Sequence, residues 1–178
     1  MGDDLSFLRG ARAHVLPYDA EHGYPEGALL VLWQRCKDAD VLHRIMPTPG
    51  EVGGHTIEKF CGMLNDKPVF LVFSNAPDEL IGFGWYSMMD AAPHKAHGNI
   101  CYFANGIGEA AVEGTCICVE YGFRILGLRA VWATTFWKAA ARHVMKAGFK
   151  YIASLPRYGQ VNGKPMDVHV LVKESPYD

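Results

Sequence analysis

Residues 97–123 read HGNICYFANGIGEAAVEGTCICVEYGF, and this stretch carries the strongest indication of the fold. It begins with a mainly apolar run over 97–104 that is typical of a strand, and it continues through a glycine-containing turn at 105–108. Apolar residues then recur every three or four positions, which predicts a helix over 109–124. The recurring residues are Val112, Cys116, Val119 and Phe123. The stretch therefore predicts a strand that leads through a tight turn into a helix.

On either side of this stretch, hydrophobic spacing and turn residues predict further helices and strands. Upstream we expect a strand over 11–16 closed by Pro17, helices over 27–45 and 55–64, and a hairpin of strands over 69–73 and 80–88 with a turn at 75–78. Downstream we expect a strand over 130–135, a helix over 137–147 capped by Gly148, a strand over 149–155, a loop at 158–164 and a last strand over 167–173. This order predicts one domain over 1–178 of the α/β or α+β class, with a mixed, mostly antiparallel sheet and helices on both faces.

The composition of the 178 residues excludes several classes of protein. Hydrophobic residues make up 49% of the chain, which is enough for a core and excludes disorder. The formal charge of −2 provides no overall basic field, so nucleic acid is not an expected partner. No stretch approaches the roughly 18 apolar residues of a membrane helix, and the first ten residues lack the layout of a signal peptide. We therefore expect a cytoplasmic protein with no membrane partner, and reduced cysteines.

The turn Asn105-Gly106-Ile107-Gly108-Glu109-Ala110 is the most suggestive chemical feature. Glycines at the start of a helix let successive backbone N–H groups converge, and the helix N-terminus adds partial positive charge, so an anion such as a pyrophosphate fits there. The same glycines are also typical of an ordinary tight turn. The turn lacks the third glycine of a dinucleotide fingerprint and the Gly-Lys-Ser/Thr of a phosphate-loop NTPase. Both interpretations of the turn stay open on the local sequence.

Four motifs in a fixed order, within residues 80–173, carry a family resemblance. They are Asn105-x-x-Gly108-x-Ala110, Tyr121-Gly122-Phe123-x-x-Leu126-Gly127-Leu128-Arg129-Ala130-Val131-x-Ala133, Lys146-Ala147-Gly148-Phe149 and Gly163-Lys164-x-x-Asp167-Val168. Together they resemble the GNAT superfamily of acyl-CoA-dependent N-acyltransferases. The most similar branch acetylates ribosomal-protein N-termini and includes phage-associated relatives. The first motif is similar to the family's Gln/Arg-x-x-Gly-x-Gly/Ala, which binds the CoA pyrophosphate.

The resemblance implies a GNAT-like fold and direct transfer of an acetyl group from acetyl-CoA to a primary amine. The acceptor would be a peptide N-terminus or a small molecule, no metal would take part, and a homodimer is a further expectation. The residues expected to bind the cofactor are Cys101, Phe103, Ala104, Asn105, Gly106, Ile107, Gly108, Glu109, Ala110 and Trp137. The backbone near Cys101 would face the thioester, and Trp137 would either line or plug the pantetheine slot.

The sequence departs from the family pattern at positions that carry chemistry. Asn99 stands where a glutamate often accepts the amine proton, and Val144 stands where a tyrosine often protonates the thiolate. Trp137 and Ala140 replace the branch's Asn-x-x-Ser, and Asn105 replaces the Gln or Arg of the pyrophosphate loop. These departures favour an alternative hypothesis, a GNAT-fold binding or assembly module that no longer transfers the acyl group.

Five residues are candidates to replace the missing acid and base. They are Cys101, Tyr102, His97, His143 and Asp90, and each also has an ordinary structural interpretation. The spacing His94-x-x-His97 would allow a metal pair, but the sequence fixes no third ligand, so no metal site is expected. The acidic N-terminal end would attract a cationic amine or peptide, and a solvated acidic face is the commoner explanation.

Overall fold

The computed structural model describes residues 5–18, 27–45, 55–87, 94–103, 108–161 and 163–177. Within these residues the elements, in chain order, are a 3-10 helix at Ser6–Leu8, β1 (Ala13–Tyr18), α1 (Ala28–Asp38), α2 (Leu42–Ile45), α3 (Ile57–Leu64), β2 (Val69–Asn75), β3 (Asp78–Ser87), β4 (Lys95–Tyr102), α4 (Glu109–Arg124), β5 (Ala130–Thr135), α5 (Lys138–Lys146), β6 (Lys150–Val161) and β7 (Lys164–Glu174). None of the helices in these ranges is long and apolar enough to cross a membrane.

The strands form one sheet in the order β1-β2-β3-β4-β5-β7-β6. Strands β4 and β5 run parallel, and the other neighbouring pairs are antiparallel. Helices α4 and α5 pack on one face of the sheet, and α1 and α3 pack on the other. These findings confirm the predicted mixed, mostly antiparallel sheet with helices on both faces.

Small residues let α4 lie close to the sheet. A Cβ at Gly114 would overlap a γ-methyl of Val72, and a Cβ at Gly122 would lie 2.5 Å from the Tyr86 hydroxyl oxygen. That hydroxyl donates a hydrogen bond to the Cys118 carbonyl at 2.8 Å, so the helix and the sheet are also joined by a polar contact. The predicted helix bounds are confirmed. The face that meets the sheet carries Gly114 and Gly122, whereas Val112 and Cys116 of the apolar repeat are only half-buried.

The opposite face has an aromatic core. Phe60 of α3 packs edge-on against Phe83 of β3, and Trp33 of α1 packs at a tilt against Phe60. Phe83 is stacked on Trp85, with ring centroids 5.6 Å apart. Aromatic side chains bury large areas, so this cluster fixes α1 and α3 to β3.

The predicted helix over 27–45 is wrong in its middle. Helix α1 ends at Asp38, and Asp40 adopts a left-handed conformation with φ 51°. The N–H of Val41 then donates to the Cys36 carbonyl at 3.1 Å, which is the bonding of a helix C-terminal cap. The break directs Val41 and Leu42 into the core, and the short helix α2 follows.

Two predicted strand boundaries are also wrong. Pro17 lies inside β1 instead of closing it, because β1 is an edge strand and a missing N–H on the free edge breaks no ladder. Most of the predicted loop at 158–164 is strand, since β6 continues to Val161. The register of β6 shifts between Leu155 and Gly159, and this bulge contains Pro156 and the left-handed Arg157. Gly159 has no side chain and so leaves room for the ring of Phe136.

We predict that Gly114→Ala destabilises the protein although alanine favours a helix. Overpacking against Val72 costs about 1–3 kcal/mol, which exceeds the gain in helix propensity of about 1 kcal/mol. Chemical denaturation would measure the free energy of unfolding. Gly62→Ala in α3 is the matched control, because nothing lies within 4 Å of its Cβ position, and it should stabilise the protein by about 0.5–1 kcal/mol. A stabilised Gly114→Ala variant would show that α4 is not held this close to the sheet.

Candidate functional site

The sheet opens where β4 and β5 separate. These parallel strands are paired only through Lys95–Ala130, Ala96–Val131 and His97–Trp132, although β4 continues to Tyr102 and β5 continues to Thr135. Among the described strands, residues 98–102 therefore pair with β3 on one side and with none on the other. We call this gap the β4–β5 opening.

The backbone of β4 presents donors to this opening. The N–H of Phe103 donates to the Ile81 carbonyl at 2.9 Å, which directs this amide toward β3. Because successive amides of a strand point to opposite edges, those of Ile100 and Tyr102 point toward the β4–β5 opening and that of Cys101 points toward β3. The opening thus offers N–H groups to a ligand atom that accepts hydrogen bonds.

An apolar recess adjoins the opening on the side of α4 and α5. Its volume is about 40 Å³. The separated strands and the two helices contribute the lining residues Gly98, Ile100, Val131, Ala133, Thr115 and Val144. Val144 is the position at which the resembled family often has a tyrosine, and here it is buried in this recess and supplies no proton.

A wider polar cleft of about 800 Å³ lies between the first turns of α4 and the length of α5. Its lining residues are Arg12, Gly108, Glu109, Val112, Glu113, Cys116, Ala139, Arg142, His143 and Lys146. Gly108 is the N-cap of α4 with φ 148°, a conformation that favours glycine, and its Cβ position has no atom within 4 Å. Gly108 itself therefore places no side chain between the helix N-terminus and the polar cleft.

A cluster of three polar side chains lies between the apolar recess and the polar cleft. The Tyr102 hydroxyl donates to the Ala111 carbonyl at 2.6 Å and lies 3.0 Å from Thr115 Oγ1, which is itself 3.0 Å from His143 Nε2. Burial raises the pKa of Tyr102 well above its ordinary value. Desolvation, and then the charge of Lys146, lower the pKa of His143, so its imidazole is neutral at pH 7. His143 is half-buried.

A second polar cluster lies on the α1 and α3 face of the opening. His97 Nε2 is 3.0 Å from Thr134 Oγ1, so this pair bridges β4 and β5 at the point where the strands part. Desolvation lowers the pKa of His97, and the side-chain hydrogen bond of Asn99 partly opposes this effect. The amide of Asn99 donates to the Ser87 hydroxyl at 2.9 Å. This face therefore holds a neutral imidazole beside an exposed hydroxyl.

The structure distributes the other candidate residues between the core and the polar cleft. The side chains of Cys101 and Phe103 are buried in the aromatic core, so only their backbone is available to a ligand. Ala110 is half-buried against the core that lies between α4, α5 and the sheet, and Glu109 borders the polar cleft. Trp137, the N-cap of α5, is 39% exposed and packs edge-on against Phe136. Asp90 and residues 104–107 lie outside the described residues.

Sequence reasoning missed Thr115, Thr134 and the basic residues of the polar cleft. Thr115 gives a detectable signal, because it is a polar residue on the apolar face of a predicted helix. Thr134 gives none, since threonine is common in strands. His94 is exposed, and the described ranges contain no group of three or more His, Cys, Asp or Glu side chains that could hold a metal ion.

No protein-family model matches the chain, and no curated protein matches it in sequence. The fold, in contrast, is shared with solved acetyltransferase structures. A spermidine N-acetyltransferase from Vibrio cholerae, in complex with CoA and spermine, is 16% identical with a TM-score of 0.70, covering 90% of this chain and 95% of that one.

Two further solved structures share the fold over most of their length. A ribosomal-protein-S5-alanine acetyltransferase from Vibrio fischeri is 16% identical with a TM-score of 0.68, covering 95% of this chain and 96% of that one. A GNAT-family acetyltransferase from Bacillus anthracis is 15% identical with a TM-score of 0.68, covering 94% and 97%. The chain therefore has the fold of the GNAT acetyltransferases.

Proposed function

We propose that the protein is an N-acetyltransferase that moves an acetyl group from acetyl-CoA to a primary amine. The observation that carries the proposal is the β4–β5 opening. On one face of the sheet lies the N-terminus of α4, which suits an anion, and on the other face lies the neutral His97. A thioester and an amine can meet in such an opening from opposite sides. The shared fold of acetyltransferases over at least 90% of the chain supports the same reaction class.

The polar cleft would hold the diphosphate end of acetyl-CoA. The bare N-cap at Gly108 leaves room for phosphate oxygens beside the backbone N–H groups of α4, where the helix dipole favours negative charge. Arg142 and Lys146 on the opposite wall add positive charge. The pantetheine arm would then run toward the opening, where the Ile100 and Tyr102 amides polarise the thioester carbonyl.

The amine would approach from the α1 and α3 face. Its nitrogen attacks the thioester carbon, and the excess proton passes through the Thr134 hydroxyl to His97, which must be neutral to accept it. The C–S bond then breaks, the CoA thiolate takes up a proton from solvent, and His97 releases its proton to solvent before the next turnover. Because the desolvated His97 has a lowered pKa, it is ready as a base at neutral pH although Asn99 cannot act as one.

The acceptor class is proposed as a peptide N-terminus or a small-molecule amine. Incubation with acetyl-CoA and panels of free peptides, N-blocked lysine peptides and polyamines, followed by mass spectrometry, should show transfer of one acetyl group to one class. If acetyl-CoA binds and no panel gains mass, the transferase proposal fails, and the binding-module hypothesis takes its place.

We predict that Gly108→Val weakens acetyl-CoA binding about tenfold in calorimetry, which is about 1.4 kcal/mol. The new side chain would project from the bare N-cap into the space proposed for the phosphates. Gly127→Val is the matched control, because Gly127 also has a positive φ, of 64°, and open space, but follows the far end of α4. Equal affinities of the two variants would mean that the phosphates bind elsewhere.

We predict that His97→Gln lowers kcat/KM for the acceptor identified by the panel about 10²-fold near pH 7. In the wild type, kcat/KM expressed per unprotonated amine should fall as the pH drops below the ordinary histidine value of about 6.5, because protonated His97 cannot accept the amine proton. This acid limb should disappear in the variant. His94→Asn, at an exposed position where asparagine tolerates the positive φ, should keep wild-type kinetics. An unchanged profile in His97→Gln would exclude His97 as the base.

A further inference from the structure

We infer that Arg12, immediately before β1, binds the diphosphate of the cofactor and is held ready for it by Glu109. This inference rests on the proposed function, since it assigns a residue of the polar cleft to one part of acetyl-CoA. The expected loop residue, Asn105, carries no charge. The positive charge would instead come from the N-terminal segment, about 90 residues earlier in the chain.

The backbone around Arg12 is fixed to α4 by one carboxylate. Glu113 accepts hydrogen bonds from three successive backbone N–H groups, those of Ala11 at 3.1 Å, Arg12 at 2.6 Å and Ala13 at 2.7 Å. Gly10 permits this approach, because a Cβ there would lie 2.5 Å from the carboxyl carbon of Glu113. The carboxylate of Glu113 is thus already satisfied, and it holds the segment against the wall of the polar cleft.

The side chain of Arg12 is held at the first turn of α4. Its Nη2 is 2.9 Å from Glu109 Oε2, and the two side chains are 60% and 77% exposed. A pair this exposed contributes little to stability, so its geometry is easily exchanged for a stronger partner. Phosphate is such a partner, because a guanidinium donates two parallel hydrogen bonds to it. Arg12 can therefore turn from Glu109 to a phosphate without any movement of its backbone.

The charges of the polar cleft favour an anion at this place. Arg12 lies on one wall, and Arg142 and Lys146 lie on α5 on the other. The opposing carboxylates are Glu109 and Glu113, so the three basic side chains exceed them by one positive charge even after Arg12 has turned from Glu109 to the phosphate. Since Arg12 pairs with Glu109, the residue after Gly108, and lines the same cleft, it lies close to the site proposed for the diphosphate. The second phosphate group of CoA, its 3′-phosphate, would be bound by other residues.

Calorimetry of Arg12→Gln with CoA and with dephospho-CoA, which keeps the diphosphate and lacks the 3′-phosphate, tests the inference. Arg9→Gln is the matched control, because it removes the same charge from an exposed residue of the same segment. Arg12→Gln should lower the affinity for CoA and for dephospho-CoA by the same factor, about tenfold, and Arg9→Gln should change neither affinity. Thermal unfolding without ligand should be the same for both variants.

Three outcomes would overturn the inference. If the two variants bind CoA equally, Arg12 has no specific role, while the proposed function stands. If Arg12→Gln lowers the affinity for CoA but not for dephospho-CoA, Arg12 contacts the 3′-phosphate and not the diphosphate. If the wild type binds neither ligand, the proposed function fails first, and the inference fails with it.

Discussion

The separation of β4 from β5 is the constraint on which the rest of the site depends. Three residue pairs hold the strands together, and beyond His97 and Trp132 the sheet has an opening between its two halves. A closed sheet would keep the amides of Ile100 and Tyr102 in its ladder and would separate its two faces completely. The opening instead makes these amides available to a ligand and lets groups from opposite faces react with each other.

Helix α4 connects this opening to the polar cleft. Gly114 and Gly122 let the helix lie against the sheet, so that Thr115 reaches the Tyr102 hydroxyl and His143 at hydrogen-bond distance. The same helix begins at a bare glycine N-cap and holds the N-terminal segment through Glu113. Close packing along one helix thus sets the positions of the backbone donors, the polar cleft and the apolar recess together.

The fold could be predicted from the sequence where local signals agreed. Helix α4 was found end to end because its apolar repeat follows a glycine turn, whereas the break at Asp40 was missed because Ala39 continues the helical spacing of Trp33 and Cys36 up to the break. The pairs of the site were beyond sequence reasoning for another reason. His97 and Thr134 are 37 residues apart, and Thr115 and His143 are 28 apart, so only the packed sheet brings them together.

Amide hydrogen exchange of the ¹⁵N-labelled protein, measured with and without acetyl-CoA, tests most directly whether the thioester lies in the β4–β5 opening. The amides of Cys101 and Phe103 point toward β3 and should exchange slowly in both states. The amides of Ile100 and Tyr102 should be slowed by acetyl-CoA, because the thioester carbonyl accepts a hydrogen bond in the opening. Exchange at Ile100 and Tyr102 that stays unchanged when acetyl-CoA saturates the protein would contradict the account.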